Sequence, residues 1–193
     1  MRVIAGKAKG KTLKRVPGEG TRPIADRVKE SLFNILSWSI PGCRLLDLFA
    51  GTGSMGIEAL SRGAAEVVFV EKAPKAVQVI RENLKIVEMS QQATVLREDV
   101  FRFLAHAREP FDIVYVAPPQ YQGLWSKTLL ALDDQPLLAA GGIIVVQIFP
   151  KEFEDLPLKN YILTDQRRYG STMLCFYEYR DELPSSDSFQ PIT

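Results

Sequence analysis

The stretch Asp47 to Gly56, DLFAGTGSMG, limits this chain more than any other. The apolar run CRLLDLF leads into it and the helical pattern SMGIEALSRG leads out, so a strand ends in an acid, passes through a glycine turn and becomes a helix. Gly51 and Gly53 let the backbone turn sharply and approach a ligand with no Cβ in the way. A second acid, Glu71, closes the next apolar run, EVVFVE, where its carboxylate can accept from both hydroxyls of a ribose. GTGSMG also satisfies G-x-G-x-x-G with an acid twenty positions after its first glycine, which leaves a nicotinamide-dependent oxidoreductase formally open. Asp47 argues against it, because a carboxylate at this turn points negative charge to where a pyrophosphate would lie. It suits S-adenosylmethionine, whose sulfonium and ammonium are cationic.

Around this turn the sequence alternates strand and helix. After a helical pattern from Pro23 (Ile24, Val28, Leu32 and Ile35 at spacings of four, four and three), strands are expected at 44–49, 66–71, 93–97, 111–116 and 142–149. Helices are expected between them at 54–62, 74–88, 100–106 and 124–132, with Val77, Ile80, Leu84 and Val87 as the buried stripe of the second. Strands that read as near-continuous apolar runs and alternate with helices give a mostly parallel sheet covered on both faces. Two further β-like segments, 161–168 and 172–180, have no helix between them and should close the sheet as an antiparallel hairpin. The fold expected is therefore α/β and Rossmann-like, preceded by a small basic β-hairpin. The domain reading is 1–22 for the hairpin and its loop, 23–180 for the main domain, and 181–193, acidic and rich in Ser and Pro, as a disordered tail. Trp38 and Trp125 are read as packing residues, and His106 is given no role.

The net charge of +1 conceals an asymmetry, since residues 1–30 carry +6 and the remainder −5. A basic arm on a mildly acidic body implies a polyanionic partner. Two cysteines, one histidine and no CxxC exclude a disulfide framework and support no metal site. With no apolar signal segment and no stretch long enough to span a bilayer, the expected location is the cytoplasm.

A second cluster is expected after the fourth strand, Ala117-Pro118-Pro119-Gln120-Tyr121, because ligands of open α/β sheets bind beyond the carboxyl ends of the strands. Consecutive prolines make an extended, rigid loop, which can hold a flat amine-bearing base in line with a methyl donor. Asp99, after the third strand, is placed to accept from an adenine amino group.

Together, RVIAGKAKGKTL, TRPIADRVKESLFNIL, DLFAGTGSMGIEALSRGA, VVFVEK and YGSTMLCFY make the chain, to about residue 180, resemble the RsmD family, bacterial methyltransferases acting on the exocyclic N2 of a guanine in 16S ribosomal RNA. The resemblance implies S-adenosylmethionine as cofactor. Asp47, Phe49, Ala50, Gly51 and Gly53 would line its methionine end, Glu71 and Lys72 its ribose, and Asp99 with Val100 its adenine. It also implies the catalytic loop Ala117, Pro118, Pro119 and Tyr121, RNA contacts from Lys7, Lys9, Lys11, Arg22 and Arg27, and Thr21 among the residues closing over the cofactor. The implied partner is 16S rRNA or the small ribosomal subunit, met by a monomer with neither metal nor membrane. The loop departs from the family pattern of Asp or Asn, two prolines and an aromatic: Ala117 offers no side-chain acceptor and Gln120 takes the place of the ring. A non-catalytic RNA-binding protein of the same fold is the alternative reading.

Overall fold

A computed structural model of the chain describes residues 1–17 and 25–180. Thr21, Arg22 and Ile24 of the sequence argument, and the tail 181–193, lie outside the described residues. The elements are α1 (Asp26–Ile35), β1 (Arg44–Leu48), α2 (Ser54–Ser61), β2 (Glu66–Glu71), α3 (Pro74–Val87), β3 (Ala93–Arg97), α4 (Val100–His106), β4 (Phe111–Val116), α5 (Leu124–Asp134), β5 (Leu138–Ile148), β6 (Tyr161–Tyr169) and β7 (Thr172–Tyr179). Seven strands form one sheet in the order β3-β2-β1-β4-β5-β7-β6. The first five run parallel and β7 enters antiparallel to both neighbours, so the mostly parallel sheet with a closing hairpin is as expected.

Side chains alternate across the sheet and divide the core in two. Leu45, Val67, Phe69, Ile113 and Val145 face α1, α2 and α3, whereas Leu46, Leu48, Val68, Val114 and Val146 face α4 and α5. The stripe Val77, Ile80, Leu84 and Val87 is buried. In α1 the buried residues are Val28, Lys29, Leu32 and Phe33, and Ile35 lies 40% exposed at the stripe's edge. Trp38 is not a packing residue: α1 ends before it, and in the following turn it stands 95% exposed, whereas Trp125 is buried. β5 begins at Leu138, four residues earlier than its apolar run, across a register shift opposite Phe111 to Ile113.

The amino-terminal residues fold back antiparallel as a short hairpin, with Val3 N–H donating to the Lys11 carbonyl at 3.0 Å and Leu13 N–H to the Met1 carbonyl at 2.9 Å around the Arg2–Thr12 bridge, and the pairing goes no further. The reason lies in competing acceptors on α2. Ile4 and Ala5 donate to the Glu58 carboxylate at 2.8 and 2.9 Å, Ala8 to Ser61 Oγ at 2.9 Å and Lys7 to the Ser61 carbonyl at 2.8 Å. Glu58 is fully buried and faces the equally buried Lys29 Nζ at 3.2 Å, which also donates to the Arg2 carbonyl at 2.8 Å. Arg62 Nε lies 2.9 Å from Glu58 Oε1. A buried pair satisfied in this way anchors the segment, because removing either partner strands the other charge. Val3, Ala8 and Leu13 complete the attachment within the core.

Candidate active site

The sheet order reverses between β1 and β4, and the chain segments that leave the carboxyl ends of β1, β2, β3 and β4 carry the acids and the proline loop singled out in the sequence. After β1, Phe49 takes φ 61° and Gly53 takes φ 75° as the residue preceding α2. Gly56, two residues into the helix, has no room for a side chain: a Cβ would stand 2.3 Å from the Phe69 ring. Its absence lets α2 seat against β2, and the Gly56 N–H then reaches Asp47 Oδ2 at 3.1 Å. Glu71 closes the other side, with Oε2 accepting from Gly51 N at 2.9 Å and Oε1 from Ala73 N at 2.8 Å.

Asp47 is 2% exposed. Burial pushes its carboxyl up to about 8, with the Gly56 N–H opposing the rise and the charge of Glu71 adding to it. Tyr115, opposite Asp47 in the β1–β4 register, donates to Gln147 Oε1, and burial followed by the Asp47 charge raises its hydroxyl well above the usual tyrosine range. Asp99 precedes α4 and caps it through Oδ1, which accepts from Phe101 N at 3.0 Å and Arg102 N at 3.4 Å. Among the described residues, Asp47, Glu71 and Asp99 make no ion pair. Acids gathered at the carboxyl ends of three neighbouring strands, with no cation paired to them among the described residues, suit a cationic ligand better than a pyrophosphate, and such a ligand favours the ionised form of Asp47. Phe49, Ala50 and Gly51 lie on the same turn, exposed Lys72 follows Glu71, and buried Val100 opens α4.

Beyond β4, Ala117 and Pro118 are half-buried while Pro119, Gln120 and Tyr121 are exposed. Tyr121 has φ 58°, and its ring centroid lies 5.5 Å from that of Phe149 just past β5. Its N–H donates to Glu152 Oε1 at 2.6 Å.

The fold thus gathers the cofactor candidates and the loop, but not all the basic ones. Lys7 lies by Ser61 at the far end of α2, Lys9 follows in the same turn with its N–H on the Gly6 carbonyl, and Lys11 pairs with Glu88 beyond the far end of α3. Eight helical residues put that end about 12 Å from the glycine turn. Arg27 sits exposed in the first turn of α1. Glu58, Asn83, Tyr115, Gln147 and Glu152 escaped the sequence argument. For the first two a signal existed, since each is a polar residue on an otherwise apolar helix face.

The architecture and the acid-lined glycine turn define a Rossmann-like methyltransferase, and the comparisons agree. The family model described as Conserved hypothetical protein 95 matches residues 1–178. The ribosomal RNA small subunit methyltransferase D of Escherichia coli K12 is 37% identical over 147 residues, covering 76% of this chain and 74% of that protein. Its Haemophilus influenzae namesake is 34% identical over 184 residues, covering 92% and 93%. The solved yhhF structure from Escherichia coli superposes with a TM-score of 0.83 at 33% identity over 93% of this chain and 97% of that one. The chain belongs to the RsmD methyltransferase family.

Proposed function

We propose that this protein transfers a methyl group from S-adenosylmethionine to the N2 amino group of a guanine in 16S rRNA, acting as a monomer in the cytoplasm. The observation that carries the reading is the row of acids Asp47, Glu71 and Asp99, which pair with no cation among the described residues, beside the Pro118-Pro119 loop. The acids select a cationic nucleoside: Asp47 faces its ammonium and sulfonium end, Glu71 its ribose and Asp99 its adenine. Bound there, the cofactor supplies an electrophilic methyl carbon. The guanine nitrogen forms the new C–N bond as the C–S bond breaks, S-adenosylhomocysteine leaves, and the nitrogen releases its proton to solvent. The Pro118 carbonyl accepts from the amino group where Ala117 offers nothing, and Tyr121 supplies a ring in place of Gln120.

The base must leave its stack to reach this crevice. Arg27, Lys72, Lys151 and Arg168 are exposed, make no ion pair among the described residues, and belong to segments at the crevice end, so they are the phosphate contacts nearest the target. Lys7, Lys9 and Lys11, a helix length away, would grip flanking RNA. No helix among the described residues is long and apolar enough to cross a membrane. The test is tritiated-methyl transfer onto small-subunit RNA or particles from a strain lacking the modification. Incorporation well above a Glu71→Ala control is expected, and none above it refutes catalysis. Ala117 favours a second reading, RNA binding without catalysis, which salt-sensitive binding with no transfer would support.

A further inference from the structure

Glu152 lies in a single 3-10 turn, Pro150–Glu152, just past the carboxyl end of β5, and is not a residue that the glycine turn or the proline loop brings to notice. Its two carboxylate oxygens hold two different segments. Oε2 accepts from Phe149 N at 3.3 Å within its own turn, and Oε1 accepts from Tyr121 N at 2.6 Å, thirty-one residues away on the loop after β4. Tyr121 is one of three non-glycine residues with positive φ among the described residues, at 58°. A tyrosine pays for that conformation, so something must hold it there. The Glu152 hydrogen bond and the Phe149 ring are the two contacts that do so. Tyr121 as a whole remains 65% exposed beside the crevice.

We propose that Glu152 is a positioning residue for the substrate: it pins Tyr121 in its left-handed conformation, braced on Phe149, so that the exposed phenol ring forms the stacking platform for a planar, amine-bearing base. This rests on the methyltransferase reading and deepens it. A side chain that held the amine would locate the base at one edge. Ala117 cannot do this, so location falls to stacking on a ring whose own backbone is fixed by the segment after the neighbouring strand β5. The ring's place, one residue later than the family pattern, requires the backbone to curl back, and the left-handed Tyr121 is that curl.

Four variants test this: Glu152→Ala, Glu152→Gln, Tyr121→Ala and the double Glu152→Ala/Tyr121→Ala. Methyl transfer to small-subunit RNA is measured beside S-adenosylhomocysteine binding and amide exchange at Tyr121. For Glu152→Ala, kcat is expected to fall about 10- to 100-fold, because a base held loosely loses the in-line geometry. Cofactor affinity should stay within about 2-fold, and amide exchange at residue 121 should quicken. Glu152→Gln, whose amide oxygen still accepts, should recover kcat to within about 3-fold of the unaltered protein. The double variant should be no worse than Tyr121→Ala alone, since both remove one device. The proposal is overturned if kcat of Glu152→Ala stays within 2-fold, if the two single losses multiply in the double variant, or if cofactor affinity falls in step with kcat. Failure of the unaltered protein to transfer methyl would refute the functional reading instead. The exchange measurement still decides the clamp, with unchanged exchange at Tyr121 in Glu152→Ala overturning it.

Discussion

The loops that leave β1 and β4 occupy equivalent places at the carboxyl ends of adjacent strands, yet they are built in opposite ways. The loop after β1 is locked from beneath. Asp47 holds Gly56, Glu71 holds Gly51, and the fully buried Asn83 of α3 donates to the Thr52 carbonyl at 2.9 Å. The same Asn83 accepts from Lys14 N at 2.7 Å and donates to its carbonyl at 3.2 Å, tying the amino-terminal segment behind the turn. The loop after β4 has no comparable support. Pro118 and Pro119 stiffen its start, and one carboxylate, Glu152, holds its apex. A cofactor has a single shape and rewards a rigid cradle, whereas a nucleotide drawn out of a large RNA needs a rim that can be adjusted one residue at a time.

The contrast fails if damage to the two loops has similar consequences. The largest effect is expected from Asn83→Ala, which leaves the Lys14 N–H and the Lys14 and Thr52 carbonyls without partners. About 3–5 kcal/mol of stability should be lost, measured by urea unfolding. Next, Glu71→Ala removes the acceptor of two backbone N–H groups as well as the proposed ribose contact, and calorimetry should show S-adenosylhomocysteine binding weakened by about 100-fold or more. On the β4 side the same assays should register little, but rate should respond: Ala117→Asp restores an acceptor for the amine and should raise methyl transfer by about 30-fold. An unchanged or lower rate would show that the loop positions its base differently.

A smaller effect concerns pH. Burial holds the Asp47 carboxyl up to about 8, above its ordinary 3.8, so between these values the folded protein retains a proton that the unfolded chain has lost. Asp47 therefore favours the folded state at low pH, and this contribution declines as pH rises through about 8. A cationic ligand favours the ionised form, so its binding expels the proton. Cofactor affinity should climb roughly 10-fold from pH 7 to 9 and level off above, and a flat profile would place the cation elsewhere. Least of all, Tyr121→Ala should shift the unfolding midpoint by no more than about 0.5 kcal/mol, because its ring is mostly exposed.

The sheet was largely legible because short-range periodicity writes strands and helices directly. The runs ending at Asp47 and Glu71 and the stripe from Val77 to Val87 match β1, β2 and α3 closely. Errors arose where a chain end or a distant partner decides. Trp38 follows a helical spacing in sequence, but α1 ends at Ile35, three residues before it. The hairpin forms around Arg2 and Thr12 but stays short, because Glu58, over fifty positions away, claims the Ile4 and Ala5 N–H groups. Positive charge locates the arm in sequence but not in space, where Lys7 sits beside Ser61 at the far end of α2. Glu152 was invisible for the same reason, since nothing local distinguishes a carboxylate that caps its own turn from one that also bridges thirty-one residues.

Because β7 runs against its neighbours, the reversal at Gly170 and Ser171 emerges beside the mouth of the crevice rather than beneath it. A lineage could lengthen or recharge that tip, altering which RNA surfaces are embraced, while the glycine turn after β1, three strands away and the proposed seat of the methyl donor, stays untouched. Target choice and donor chemistry are then free to diverge at different tempos within one sheet.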